Sequence, residues 1–169
     1  MNLIAAASDR LGRLAPRPET AEDESFVFAL YASTRAAEMA LTNWTSDQKH
    51  AFLRWQFELQ RQHYRLHYAD AAFDVLMLDD VHVGRMYVSF RPDEIRLMEI
   101  TIDPRFRGRG IATHALRTLL DNAQRKSVPV TLHVEPDNPA VRLYERLGFS
   151  FVEHRGIYQL MEWRPLRQT

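Results

Sequence analysis

The chain has 169 residues, 46% hydrophobic and 26% charged, values that suit one soluble globular domain and exclude disorder and collagen-like repeats. Lys and Arg total 22 against 22 for Asp and Glu, so bulk charge points away from nucleic acid or membrane as the main partner. There is no cysteine, which excludes disulfides and thiolate chemistry and makes a reducing compartment, the cytoplasm, the default expectation.

The N-terminal apolar run is too short for a signal sequence and is followed by charge, so residues 1–12 are expected to be a flexible lead-in to one domain over 13–165. No stretch reaches the ~20 apolar residues of a membrane helix. Residues 11–15 suit a short strand, and Thr20 followed by Glu22, Asp23 and Glu24 suits a helix start, with acids where the helix dipole favours them. Phe26, Leu30 and Tyr31 share one face of that helix. After the turn and capping residues between Thr42 and Asp47, the spacing of Phe52, Trp55, Leu59 and Leu66 predicts a longer amphipathic helix, Ser46–His67.

Residues 73–78 and Val81–Phe90 flank Asp79-Asp80 and read as a hairpin, because β-branched and aromatic residues surround a turn-forming pair. Pro92 and Asp93 break it, and Ile95–Ile102 is the next strand. Gly108 and Gly110 then open a helix whose apolar positions run from Ile111 to Ala123 at helical spacing, ending near Lys126. A strand at 129–134, a helix at 138–147 stopped by Gly148, and closing strands at 149–152 and Tyr158–Trp163 complete the chain. This order implies an α/β domain: a mixed central sheet containing a parallel β-α-β unit, flanked by helices, with a ligand crevice at its strand ends.

The crevice loop runs Ile102-Asp103-Pro104-Arg105-Phe106-Arg107-Gly108-Arg109-Gly110-Ile111-Ala112. Glycines let backbone approach an oxygen-rich group, and a helix N-terminus presents free N–H groups and a positive dipole end, as a pyrophosphate requires. An isolated G-x-G also serves ordinary strand-to-helix turns. No G-K-[ST] follows and the three-glycine dinucleotide pattern is missing, so nucleotide hydrolysis and hydride transfer are disfavoured.

Arg105, Gly108 and Gly110 after Ile102-Asp103-Pro104 resemble the R/Q-x-x-G-x-G/A loop of the GNAT (GCN5-related) N-acetyltransferase family. Downstream, Thr131-Leu132-His133-Val134-Glu135 and the segment from Asn138 through Leu143-Tyr144-Glu145 to Gly148-Phe149 resemble that family's next strand and its N-x-A-x-x-LYE-x-x-GF block. The resemblance is specific from Met98 to Phe151 and architectural before that. It implies a splayed parallel β-α-β site for acetyl-CoA as cosubstrate, no metal, and transfer of an acetyl group to a primary amine of a small molecule or peptide. Ile100 and Ile102 would offer backbone to the pantetheine arm. Arg107, Gly108, Arg109, Gly110, Ile111, Ala112 and Thr113 would cradle the pyrophosphate. Asn138 would contact pantetheine or phosphate, although many members space this asparagine one residue further from the tyrosine.

Tyr144 matches the family's acid, which would help the thiolate depart, and a phenol is protonated at neutral pH without tuning. The amine arrives as ammonium and needs a base. Glu99, beside the splayed strand, and His133, on the next strand, are the candidates, with Glu99 favoured. The acceptor would lie between the first two helices and the sheet, near Phe28, Tyr31, Arg35, Trp44, Trp55 and Phe57, most of them expected in the core, with Arg35 a candidate for an acceptor carboxylate. Other classes stay open: an acyl-CoA-binding regulatory module without turnover, and a binding domain using Arg105, Arg107 and Arg109. A homodimer is also left open.

Overall fold

A computed structural model describes residues 12–167. The reading of 1–12 as a lead-in falls almost wholly outside the described residues. The elements are β1 (Leu14–Pro18), α1 (Glu24–Ala40), α2 (Ser46–His67), β2 (Ala72–Leu78), β3 (Val81–Phe90), β4 (Ile95–Ile102), α3 (Ile111–Lys126), β5 (Val130–Val134), α4 (Ala140–Arg146), β6 (Ser150–Arg155) and β7 (Tyr158–Trp163). One seven-stranded mixed sheet has the order β1-β2-β3-β4-β5-β7-β6, with β4 and β5 its parallel pair. The expected α/β fold is the observed one. No helix among the described residues is long and apolar enough to cross a membrane.

The differences lie at the sheet edges. β1 occupies Leu14–Pro18 instead of 11–15 and contains two prolines; as an edge strand pairing only β2 it tolerates residues that cannot donate to a ladder. β6 runs to Arg155, past the expected end at Val152. All of its residues are exposed, so no buried face imposes an alternating pattern on them. A 3₁₀ turn, Ala21–Asp23, precedes α1, and both the N–H and the hydroxyl of Thr20 donate to Asp23 Oδ2. Thr45 caps α2 by accepting from the Gln48 N–H while the Gln48 side chain accepts from the Thr45 N–H.

The sheet separates two layers. Val75 packs with Val27, Phe28 and Tyr31 of α1 and with Leu53 and Phe57 of α2. On the other face Leu76, Val83 and Ile102 pack against Ile111 and Ala115 of α3, and a larger cluster joins Leu97 and Leu132 to Leu116, Leu119 and Leu120 of α3 and to Tyr144 of α4. Burying these apolar faces is the dominant favourable contribution to such a fold. Cross-strand neighbours share a face, so Phe73, Tyr87 and Glu99 form one row on the α1/α2 side and Val75, Arg85 and Thr101 form the next.

Candidate functional site

β4 and β5 pair through Ile95 with Val130, Arg96 with Thr131 and Leu97 with Leu132, and then part. β5 continues against β7, and β4 continues against β3 alone. The parting coincides with a β-bulge: Val88 faces Leu97 and Tyr87 faces Glu99, so Met98 is the extra residue. An inserted residue bends and twists its strand, which opens a gap beside residues 98–102. Ile100 and Ile102 border this gap while their side chains pack toward the α3 layer.

At the end of β4 the loop is braced from within. Asp103 is buried, and its carboxylate accepts from the Arg105 backbone N–H at 2.9 Å and from Arg105 Nη2 at 2.8 Å. Arg105 holds the Asp103 carboxyl below the ordinary carboxylate range. Arg107 Nε donates to the Ile102 carbonyl at 3.2 Å, and Arg109 lies over the Phe106 ring. Gly108 and Gly110 have φ of +74° and +79°, and a Cβ on either would meet nothing within 4 Å. Conformation, not crowding, is what demands glycine here. The first backbone bond of the α3 turn is His114 N–H to the Gly110 carbonyl, so the N–H groups of Ile111, Ala112 and Thr113 precede the ladder and have no backbone acceptor among the described residues. Free N–H donors, open glycine backbone and adjacent arginines fit a pyrophosphate.

Tyr144 of α4 is buried on the α3 side, edge-on to Phe149 with ring centroids 5.7 Å apart. Its hydroxyl has no hydrogen-bond partner among the described residues. Burial, with the Glu99 charge second, pushes this phenol up to about 12. Asn138 uses its side-chain oxygen to accept from the Ala140 N–H at 2.9 Å, closing the turn into α4, and its amide nitrogen remains available.

Glu99 sits on the α1/α2 face. Thr101 Oγ1 donates to its Oε1 at 2.7 Å, and Arg85 Nη2 lies 3.6 Å from the same oxygen. His133 shares that face across the gap, between Arg96 (3.3 Å from Nδ1) and Arg155 (3.4 Å from Nε2). Partial burial first, then the two arginines, pull this imidazole below its ordinary value. A cavity of about 350 Å³ opens on the same side, lined by Glu19, Arg61, Tyr64, Phe73 and Tyr87 among others. A smaller one, about 90 Å³, lies between His63, Tyr64, Tyr68, Met98 and His133. Tyr64 is common to both.

Of the residues expected near an acceptor, Phe28, Tyr31 and Phe57 are core, whereas Trp44 and Trp55 are exposed. Both tryptophans pack against Phe52, which itself borders the α1/α2 core cluster. Arg35 pairs with Glu38 on its own helix at 3.2 Å and lies over the Tyr31 ring. Sequence reasoning missed Glu19, Gln60, Tyr64, Arg85 and Tyr87. A signal existed for one of them: Arg85 falls at an inward position of the otherwise apolar run Val83-Gly84-Arg85-Met86-Tyr87-Val88.

The family model described as Acetyltransferase (GNAT) family matches residues 34–149. A mycothiol acetyltransferase of Brachybacterium faecium is 46% identical over 83 residues, covering 45% of this chain and 25% of that protein. The mouse cysteine-rich protein 2-binding protein is 35% identical over 78 residues, covering 46% of this chain and 9% of that protein. The chain thus spans a quarter or less of the length of these curated relatives. Among solved structures, the paiA N-acetyltransferase of Thermoplasma acidophilum in complex with coenzyme A superposes with a TM-score of 0.67 at 15% identity, covering 90% of this chain and 99% of that one. The ribosomal-protein-S18-alanine N-acetyltransferase of Escherichia coli gives 0.63 at 17% identity, covering 92% and 97%. The likeness to both is one of fold. With the family model spanning most of the chain over a sheet that parts between β4 and β5, this protein belongs to the GNAT acetyltransferase family.

Proposed function

We propose that residues 13–165 form one catalytic domain that transfers an acetyl group from acetyl-CoA to a primary amine of a small molecule or peptide, by direct attack of the amine. The observation that carries this reading is the gap beside residues 98–102, with the free N–H groups at the start of α3 at one end and Glu99 and Tyr144 flanking it from opposite faces. Acetyl-CoA supplies the acetyl thioester that the amine attacks. Ile111, Ala112 and Thr113 would bind its pyrophosphate through backbone N–H groups, with Gly108 and Gly110 keeping the approach open and Arg107 and Arg109 adding charge. The backbone of Ile100 and Ile102 would hold the pantetheine arm, and the free amide of Asn138 is placed to assist.

The acceptor would approach from the α1/α2 face, where the cavities lie. Glu99 takes the proton that the ammonium must lose before its nitrogen bonds to the acyl carbon. As the carbon–sulfur bond breaks, the Tyr144 hydroxyl donates to the departing sulfur. Glu99 is preferred over His133 because its Oε2 has no partner among the described residues, whereas both His133 ring nitrogens face guanidinium groups. The deciding experiment follows CoA release from acetyl-CoA over a panel of amines, amino acids and peptides, alongside calorimetry with acetyl-CoA. Turnover with at least one amine supports the reading. Binding of acetyl-CoA without turnover would favour a regulatory module, and no binding at millimolar cofactor would defeat both.

A further inference from the structure

We infer that Arg85 is the positioning residue for Glu99, its buried guanidinium fixing which carboxylate oxygen is left for the acceptor. The inference rests on the reading of Glu99 as the base. Arg85 is 1% exposed, in the middle of β3. Its Nη2 reaches Gln60 Oε1 at 3.3 Å and Glu99 Oε1 at 3.6 Å, its Nη1 donates to the Tyr87 hydroxyl at 3.4 Å, and its Nε has no partner among the described residues. The Tyr87 hydroxyl donates in turn to Glu19, which Arg61 holds at 2.7 Å. Charges therefore alternate through the α1/α2 layer from Arg61 to Glu19, Arg85 and Glu99, with Tyr87 as the neutral bridge.

Burying a guanidinium is expensive, and an apolar side chain of similar volume would fill the position without that penalty. What arginine adds is a fixed positive charge at a defined place. At 3.6 Å Arg85 acts on Glu99 through charge, while Thr101 supplies the short hydrogen bond at 2.7 Å. Both act on Oε1, so Oε2 is the oxygen open to a ligand. The titratable groups around Glu99 are Arg85 and Tyr87 on β3, Tyr64 on α2 and Tyr144 on α4, with His133 across the gap. Burial pushes all three tyrosines up, so they stay neutral through the working range and Arg85 carries the local positive charge.

The test follows the Glu99 carboxyl carbon by ¹³C NMR across pH, without any acceptor, in wild type, Arg85→Gln and Arg85→Lys, with Glu99→Gln assigning the resonance. Loss of a cation 3.6 Å from the carboxylate is expected to displace the pH response of the Glu99 resonance in Arg85→Gln, and to displace it less in Arg85→Lys, which keeps the charge. In turnover, Arg85→Gln should lower kcat roughly 10- to 100-fold and carry the acidic limb of the profile with it, with the KM for acetyl-CoA little changed and Arg85→Lys recovering part of the loss. If Arg85→Gln does not fold, Arg85→Lys decides: a reduced kcat with a nearly unmoved pH response supports the role, and wild-type kcat overturns it. An unmoved pH response in folded Arg85→Gln overturns the role of Arg85 and leaves Glu99 as the base. A wild-type acidic limb in Glu99→Gln instead overturns the base assignment, whatever the resonance shows.

Discussion

Tyr144 and Glu99 flank the gap between β4 and β5 from opposite faces of the sheet, and the Glu99 carboxylate adds to the burial that pushes the Tyr144 phenol up to about 12. A phenol so placed is a weaker acid than an ordinary thiol of pKa ~8.5, so complete proton transfer to the departing thiolate runs uphill. Tyr144 would then act mainly as a hydrogen-bond donor to the developing charge.

Tyr144→Phe should therefore reduce kcat about 10- to 100-fold, the scale of one lost donor, without displacing either limb of the rate profile between pH 6 and 10. The melting temperature should hardly move, because the hydroxyl has no internal partner to lose. Steady-state CoA release across pH and thermal denaturation check both parts. A basic limb that vanishes in the variant would mean Tyr144 titrates in that range.

Glu99→Gln should erase or displace the acidic limb of kcat/KM, and His133→Gln should leave it in place. The His133 imidazole is already below its ordinary value and lies between Arg96 and Arg155, which oppose a further positive charge. The reverse pattern would make His133 the base. A limb that survives both substitutions would favour proton loss through water.

Gly110→Ala places a side chain at φ +79°, and forcing that conformation costs roughly 1–2 kcal/mol, or about 2–8 °C in melting temperature. Gly156→Ala, at φ +62° in the β6–β7 turn and equally uncrowded, serves as the strain control. Both variants should lose similar stability, but acetyl-CoA affinity should fall, by about tenfold or 1.4 kcal/mol, only in Gly110→Ala. Equal affinities by calorimetry would remove the α3 N-terminus from the cofactor site.

Asp23, which accepts from Thr20 at the wall of the larger cavity, couples pH to stability. Its carboxylate is buried, accepts from Arg17 at 2.7 Å and lies 2.9 Å from His82 Nε2, and the Arg17 hydrogen bond holds it well below the ordinary carboxylate range. A carboxylate depressed on folding contributes stability that is fully present above its unfolded value of ~3.9 and is lost as pH falls below it. Asp23→Asn should thus melt lower at pH 7 and show a shallower decline below pH 4. Parallel melting curves for variant and wild type across that window would show that Asp23 is not the coupled group.

The elements bounded by strong local signals were readable directly from the residues. Ser46–His67, Val81–Phe90, Ile95–Ile102 and Ile111–Lys126 carry their own periodicity, caps and glycines, and these act over a few residues. The turn that opens α3 was legible for the same reason, since Gly108 and Gly110 mark a backbone requirement that is local. β1 and β6 were misplaced because the limits of an edge strand depend on how far it pairs with its single neighbour, and β6, exposed throughout, has no buried face to write that choice into its sequence. The bulge at Met98 could not be read, because an extra residue is defined only against the partner strand it fails to match. Likewise the pairing of Arg85 with Glu99, and of Tyr87 with Glu19, joins residues 14 and 68 positions apart, and only the sheet register and the packing of α2 bring those charges out of water and into reach of one another.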